Sequence, residues 1–578
     1  LHVLSIENNS IRELPIQVGL LDQLQRLNTS NNRELVFPPT VILRQGVSSI
    51  VPFMKRMLQG VETGKFDLSN LSLTEIPPQI FQTYTNLCAL DVSFNTIPSI
   101  PRTVENLVCV TEINLDGNPI TELQPSIGTL TTLDLLLVDS YKNVQVPPKE
   151  VTLGGLKMTL KYLKKVYDSE KTNRLDLSNM GLTTFPDHIT KMFKLTELSL
   201  TGNALRLVPE SISKLAGLHE LWLHNNRLET LPASMGSLTH LNKLFLDGNN
   251  LTTLPPEVGC MTSLVRLSVT NNALKTLPAE LGMLSSTLEV LNFDNNRELE
   301  TPPKEVQMEG SSAVLLYLRR LFDSRQREAG CLDVSNMGLP VIPPDIFKMT
   351  NLTNLNLSRN NIVDVPSTLK DVTLLRVLDL SWNQVRELPD VFDELQLLEI
   401  LIVNNNVIQF LPDSLGYLER LVTLDAMKNE MKTLPDTMET MTSLTALNIS
   451  YNRFEIMPPC FGRLTNLVEL HAGFNNVGFF PSSLGNLTNL TRLRVPGNRL
   501  AFIPSDIGNC TRLKELCMTA NKLEVLPVEL GRLREIESLQ IDDNVIRSPP
   551  EEILEQGSRV VLTYLSRVYD SRASKFLD

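Results

Sequence analysis

Few side chains in this sequence are spaced for covalent or metal chemistry. The six histidines (His2, His188, His219, His224, His240 and His471) do not pair with a cysteine or carboxylate at metal-ligand spacing. The seven cysteines (Cys88, Cys109, Cys260, Cys331, Cys460, Cys510 and Cys517) contain no CxxC pair, and their scatter favours a reducing, cytoplasmic setting. No G-x-x-x-x-G-K-S/T phosphate loop, H-E-x-x-H helix or kinase signature occurs. The sequence therefore reads as non-enzymatic, with no cofactor and no metal. What does recur is a set of aromatic and charged residues, many of them 23 positions apart. The denser group is Glu197, Glu220, Trp222, His224, Lys243, Phe245, Asp247 and Arg266; the looser one is Trp382, Tyr451, His471, Phe474, Arg492 and Arg494. Aromatic residues beside arginine are the composition of interface hot spots, so the chemistry expected is non-covalent recognition of a protein. That the aromatics merely pack on one another stays open.

The elements that must hold these residues are short repeats. Residues 352–366 read LTNLNLSRNNIVDVP, and the frame L-x-x-L-x-L-x-x-N-x-I-x-x-V-P restarts at Leu375, Leu398, Leu421, Leu444, Leu467, Leu490, Leu513 and Ile536, each 23 residues on. Leu355 and Leu357 are two apart and share one side of a strand. With Leu352, Ile362 and Val365 they form a face that a single repeat cannot bury alone, so repeats must stack. Asn360 stands where the strand ends, and a buried amide there can satisfy turn and neighbouring backbone groups. Pro366 lacks an amide hydrogen, which predicts extended or short 3₁₀ structure on the return path. The third, fifth, seventh and eighth positions face out from the sheet, and the candidate residues occupy them.

Repeats start at Leu1 and Leu24; at Thr63, Leu87, Val110 and Leu133; at Thr172, Leu195, Leu218, Leu241, Leu264 and Leu288; and at Ala329 followed by the nine above. Four units of 38 to 41 residues close the groups. Each has a proline pair (Pro38-Pro39, Pro147-Pro148, Pro302-Pro303, Pro549-Pro550), a glycine (Gly46, Gly154 or Gly155, Gly310, Gly557) and then an amphipathic stretch. In the third, Val314, Leu315, Leu318, Leu321 and Phe322 lie on one helical face. The first copy contains Pro52 and reads as degenerate, and in the others Asp168-Ser169, Asp323-Ser324 and Asp570-Ser571 read as helix ends. Lys164, Lys165, Arg319 and Arg320 read as a solvated outer face. In the repeats that follow, Leu71, Met180 and Met337 replace the asparagine, so the ladder should break there while the sheet runs on. The expected blocks are 1–62, 63–171, 172–328 and 329–573. Residues 574–578 would open a further repeat, which marks the chain as a fragment.

The 23-residue frame with its leucine-proline return is a leucine-rich repeat signature and resembles the intracellular Ras-associated group: Ras-binding scaffolds, plant Ras-group proteins and the arrays of Roco proteins. The resemblance implies an α/β solenoid, a curved horseshoe with a continuous parallel concave sheet and convex-side helices on the four longer repeats. It also implies a scaffold whose concave face binds a protein partner in small-GTPase signalling. Two other readings stay open: the recognition region of a larger GTPase, cyclase, phosphatase or kinase, and a structural component of a cytoskeletal or other assembly. A net charge of −12 argues against a nucleic-acid partner. No run of 18 apolar residues suits a membrane.

Overall fold

The computed structural model describes residues 1–139, 142–326 and 330–575. The repeat start at Ala329 lies outside these residues. So do residues 576–578 of the expected further repeat, while Ser574 and Lys575 close the last helix. The chain forms two compact units, Leu1–Leu299 and Glu300–Asp578.

Most strands are only three residues long, because one leucine flanked by two outward positions is all each repeat contributes. Val377–Asp379 pairs in parallel with Ile400–Ile402, with Leu378 opposite Leu401. Residues 23 apart therefore stand side by side in columns across the sheet, and Leu378 and Leu401 are fully buried behind it. The return path carries a short 3₁₀ helix, such as Ser367–Asp371 after Pro366, in agreement with the proline argument. The asparagine is a buried connector. Asn383 donates to Leu357 O and Leu380 O at 3.0 and 2.9 Å and accepts from Ile362 N at 3.0 Å.

The four longer repeats carry the helices α1 (Val47–Thr63), α2 (Leu156–Thr172), α3 (Ser311–Gln326) and α4 (Ser558–Lys575). The glycine before each, Gly46, Gly155, Gly310 and Gly557, has φ between +82° and +90°. At Gly155 ψ is 177°, a region open essentially to glycine alone. Helices α1, α2 and α4 each pack on the last 3₁₀ turn of their own group. Gly128 allows this for α2: a Cβ there would lie 2.1 Å from Lys164 N.

Four expectations change. The sheet is not continuous: strands form parallel sheets of two, four, six and ten. The helices α1 and α2 each touch both the preceding 3₁₀ turn and the first strand of the next group. A helix about 10 Å wide cannot fit within a strand step of about 4.8 Å, so the strands on either side do not pair. The first helix is not degenerate, since α1 spans 17 residues through Pro52. Burial of Ile50, Phe53, Met54 and Met57 offsets the roughly 3 kcal/mol that an interior proline costs. The Asp-Ser pairs are not the last residues of the helices but sit three and two residues inside the ends of α2 and α3. There Ser169 and Ser324 are buried, and Asp168 and Asp323 pair with Lys164 and Arg319 on the outer face. Lys165 and Arg320 are not simply solvated, because they reach Asp176 and Asp333 on the next strand at 2.8 and 3.9 Å, as Arg56 reaches Asp67 at 3.5 Å.

The asparagine ladder does break where expected. The first asparagine beyond each joint, Asn95, Asn203 or Asn360, accepts from two backbone amides at once, those of Leu71 and Leu73, Met180 and Leu182, or Met337 and Leu339.

Candidate protein-interaction surface

In the six-stranded sheet the structure brings the denser group together on four adjacent strands. Glu220–Trp222 pairs with Lys243–Phe245, setting Trp222 opposite Phe245. Their rings stack with centroids 6.2 Å apart and planes 9° from parallel. Lys243 Nζ lies 2.8 Å from Glu220, and Arg174 Nε lies 3.1 Å from Glu197. These pairs order the charges around the aromatic stack, though at this exposure each adds little stability. Asp247 is occupied as a cap: Ser268 Oγ, Thr270 N and Thr270 Oγ1 all donate to it. His224 Nδ1 is 3.4 Å from Thr201 Oγ1. Arg266 is exposed beside Lys243. Trp222 and His224 also wall an open cavity of about 540 Å³ with Arg174, Asp176, Glu197 and Ser199. A more apolar cavity of about 560 Å³, between Val146, Val166, Met192 and Phe193 at the α2 joint, holds none of the predicted residues.

The looser group separates into two parts. His471, Arg492 and Arg494 lie on adjacent strands, with His471 opposite Arg494. Both arginines are already partnered: Arg492 with Glu469 at 2.5 Å, and Arg494 with both carboxylate oxygens of Glu515 at 2.7 and 3.0 Å. The Arg494 bond holds the Glu515 carboxyl below the usual carboxylate range. Burial, with Arg494 beside it, lowers the His471 pKa, so this imidazole is neutral near pH 7.

Trp382, Tyr451 and Phe474 stand elsewhere, at the eighth repeat position just beyond the strands. Every repeat turns left-handed there in the described residues of the ten-stranded sheet, from Asn336 to Asp543. Tyr451 and Phe474 stack at 4.3 Å. Trp382 is three repeats from Tyr451 and is joined to it by a residue sequence reasoning missed: Lys428 Nζ sits 5.9 Å from the Trp382 ring and 5.7 Å from the Tyr451 ring. Arg359, also missed, lies 5.7 Å from the Trp382 ring. The signal was present, since 359, 382, 428, 451 and 474 all fall in one 23-residue column.

Among the described residues, no group of three or more His, Cys, Asp or Glu side chains is placed to hold a metal ion, and no helix is long and apolar enough to cross a membrane.

A family model described as leucine-rich repeat region matches residues 174–322 and 365–476, and one described as leucine rich repeat matches 64–120 and 331–385. Leucine-rich repeat serine/threonine-protein kinase 1 of Mus musculus is 27% identical over 190 residues, which are 30% of this chain and 9% of the kinase. The chain thus spans under a tenth of that relative's length. Among solved structures, a leucine-rich repeat protein of Leptospira interrogans is 23% identical over 87% of this chain and 96% of its own, with a TM-score of 0.35. The Arabidopsis receptor kinase HAESA, in complex with the peptide hormone IDA and the co-receptor SERK1, is 23% identical over 94% of this chain and 79% of its own, with a TM-score of 0.33. Matches by two repeat-family models, together with stacked parallel strands on a buried leucine and asparagine frame, make this chain a leucine-rich repeat protein.

Proposed function

We propose that this chain is a non-catalytic scaffold that holds a protein partner against the outward face of its sheets, and that its four blocks act as successive segments of that scaffold. The observation that carries the reading is the half-buried Trp222–Phe245 stack, with Trp222 at the wall of an open cavity, framed by the ordered charges of Glu197, Glu220 and Lys243. Flat aromatic area framed by charge binds with little loss of side-chain entropy. The resemblance to the Ras-associated group favours a partner in small-GTPase signalling and a cytoplasmic setting. A second reading has its own observation. The match to a protein kinase of which this chain spans only 9% favours a recognition region within a larger enzyme.

The test is affinity capture from native extract, comparing wild type with a Trp222→Ala/Phe245→Ala variant whose circular dichroism and melting are unchanged. The scaffold reading expects a partner bound at least about tenfold more weakly by the variant. Equal capture by both proteins would reduce the stack to packing and refute this use of the surface.

A further inference from the structure

The eighth column of the ten-stranded sheet breaks a local rule. Its backbone is left-handed, which suits glycine and asparagine, and along the whole chain this position mostly carries them: Asn225, Gly248, Asn271, Asn405 and Gly497 among others. Bulky residues are disfavoured at such φ, and where they persist the strain points to function. Here Arg359, Trp382, Lys428, Tyr451 and Phe474 all adopt φ between +53° and +57°. The three aromatics remain 53%, 43% and 47% exposed, so burial does not explain them.

Charge narrows the choice of occupant. Among the described residues, Arg359 and Lys428 contact ring faces and form no ion pair with a carboxylate, whereas Arg453, Arg492 and Arg494 nearby are each paired. The nearby acids are engaged: Glu430 by Arg453, Asp425 by Asn404, and Asp379 by the amide of Ser381. Two unpaired cations therefore frame an indole, with a tyrosine–phenylalanine stack beyond.

We propose that this ridge binds an extended acidic peptide segment of a protein partner. The inference rests on the scaffold reading but uses a surface separate from the Trp222 patch. Arg359 and Lys428 are three strand steps apart, about 14 Å. An extended chain covers that distance in four residues, and residues two apart face the same way. The fitting pattern is a carboxylate at i and at i+4, with apolar side chains at i+2 over Trp382 and at i+6 over Tyr451 and Phe474. A nucleic acid, charged at every unit, would meet Asp379 and Asp425 in the fifth column of the same sheet, on a chain of net charge −12.

The probe is a fluorescein-labelled Glu-Thr-Val-Thr-Glu-Thr-Val-Thr peptide, titrated against the full chain by anisotropy. Controls are its Glu→Gln form, a form with the two glutamates two residues apart, and oligothymidylate. In a Trp222→Phe background the indole signal comes from Trp382 alone, since the chain has two tryptophans. Saturable binding with a change in the Trp382 emission is expected, weakened about tenfold or more by Lys428→Glu or Arg359→Glu. A peptide with Lys in place of its second Glu should recover binding to the Lys428→Glu variant. Both cations lie on the surface, and unchanged melting of the variants establishes that they fold. Equal binding of the Glu and Gln peptides, tighter binding of oligothymidylate, or no saturation below about 1 mM would overturn the proposal. These outcomes leave the Trp222/Phe245 capture result untouched, so the two readings fail separately.

Discussion

Replacing one ladder asparagine should weaken the ten-stranded unit by an amount its hydrogen bonds fix in advance. Asn406 is a clean choice. Its Nδ2 donates to Leu380 O at 2.9 Å and Val403 O at 3.0 Å, and its Oδ1 accepts from Val385 N at 3.0 Å. Asn406→Ala removes these three bonds and a longer one from Nδ2 to Asn404 O at 3.2 Å, but the consequences differ. Leu380 O keeps its bond from Asn383 at 2.9 Å, and Val403 O keeps its bond from Asn429 at 3.0 Å. Those two losses cost about 1 kcal/mol each. The amide of Val385, a fully buried residue, loses its partner, which costs roughly 1–3 kcal/mol. The total is about 3–5 kcal/mol. With a urea dependence of about 3 kcal/mol per molar for a unit of this size, the midpoint should fall by about 1–1.7 M.

Trp382 lies between Leu380 and Val385 and so reports on the lesion directly. In a Trp222→Phe background, urea unfolding followed by indole fluorescence reads this region alone. In a Trp382→Phe background the same substitution should move the Trp222 transition much less, because repeats couple mainly to neighbours. A shift below about 0.3 M at Trp382 would refute the reasoning, since even the two smaller losses alone require about 0.7 M.

Three further outcomes follow from the joints. Gly155→Ala should cost about 1–3 kcal/mol through backbone strain alone, because φ is +84° while nothing lies within 4 Å of the added methyl; an unchanged melting temperature would contradict this. Gly128→Ala should cost at least as much for the opposite reason, since its methyl meets the α2 backbone, and limited proteolysis should then cut near residues 156–172 first. His188 is half-buried, with its Nε2 3.1 Å from the Tyr162 hydroxyl, and its loss of water contact, with Lys191 nearby, lowers its pKa from 6.5 to about 4. The folded state then resists a proton the unfolded chain accepts. Stability is unaffected above about pH 6.5 and falls by on the order of 3 kcal/mol as pH drops to about 4. Melting curves of wild type and His188→Gln at pH 7.5 and 4.5 check this, and parallel losses in both proteins would refute it.

Much of the fold could be read directly, because one period sets strand, core and ladder together. Val314, Leu315, Leu318, Leu321 and Phe322 share one helical face in the sequence, and the structure buries all of them but Phe322, which is half-buried. The breaks in the sheet were not legible: the longer units announce a helix, but that it occupies the level of a strand follows only from packing. Nor was Ser169, since the helix that buries it continues for three more residues.

The candidate surface shows where repeat reading fails and column reading succeeds. Taken one repeat at a time, Arg492 and Arg494 look like free cations beside aromatics. Taken down the columns, Glu469 stands one period before Arg492, and Glu515 lies diagonally across from Arg494; both distances were available from the period. The same arithmetic brings Arg359 and Lys428 into line with Trp382 and Tyr451, where no carboxylate is drawn to them. A solenoid turns sequence distance into lateral distance, about 4.8 Å for each 23 residues. Recognition in such a chain is therefore written across repeats. The informative residues are those in a column that neither local propensity nor a neighbour in the next repeat accounts for, and the left-handed column of the ten-stranded sheet is where both conditions hold together.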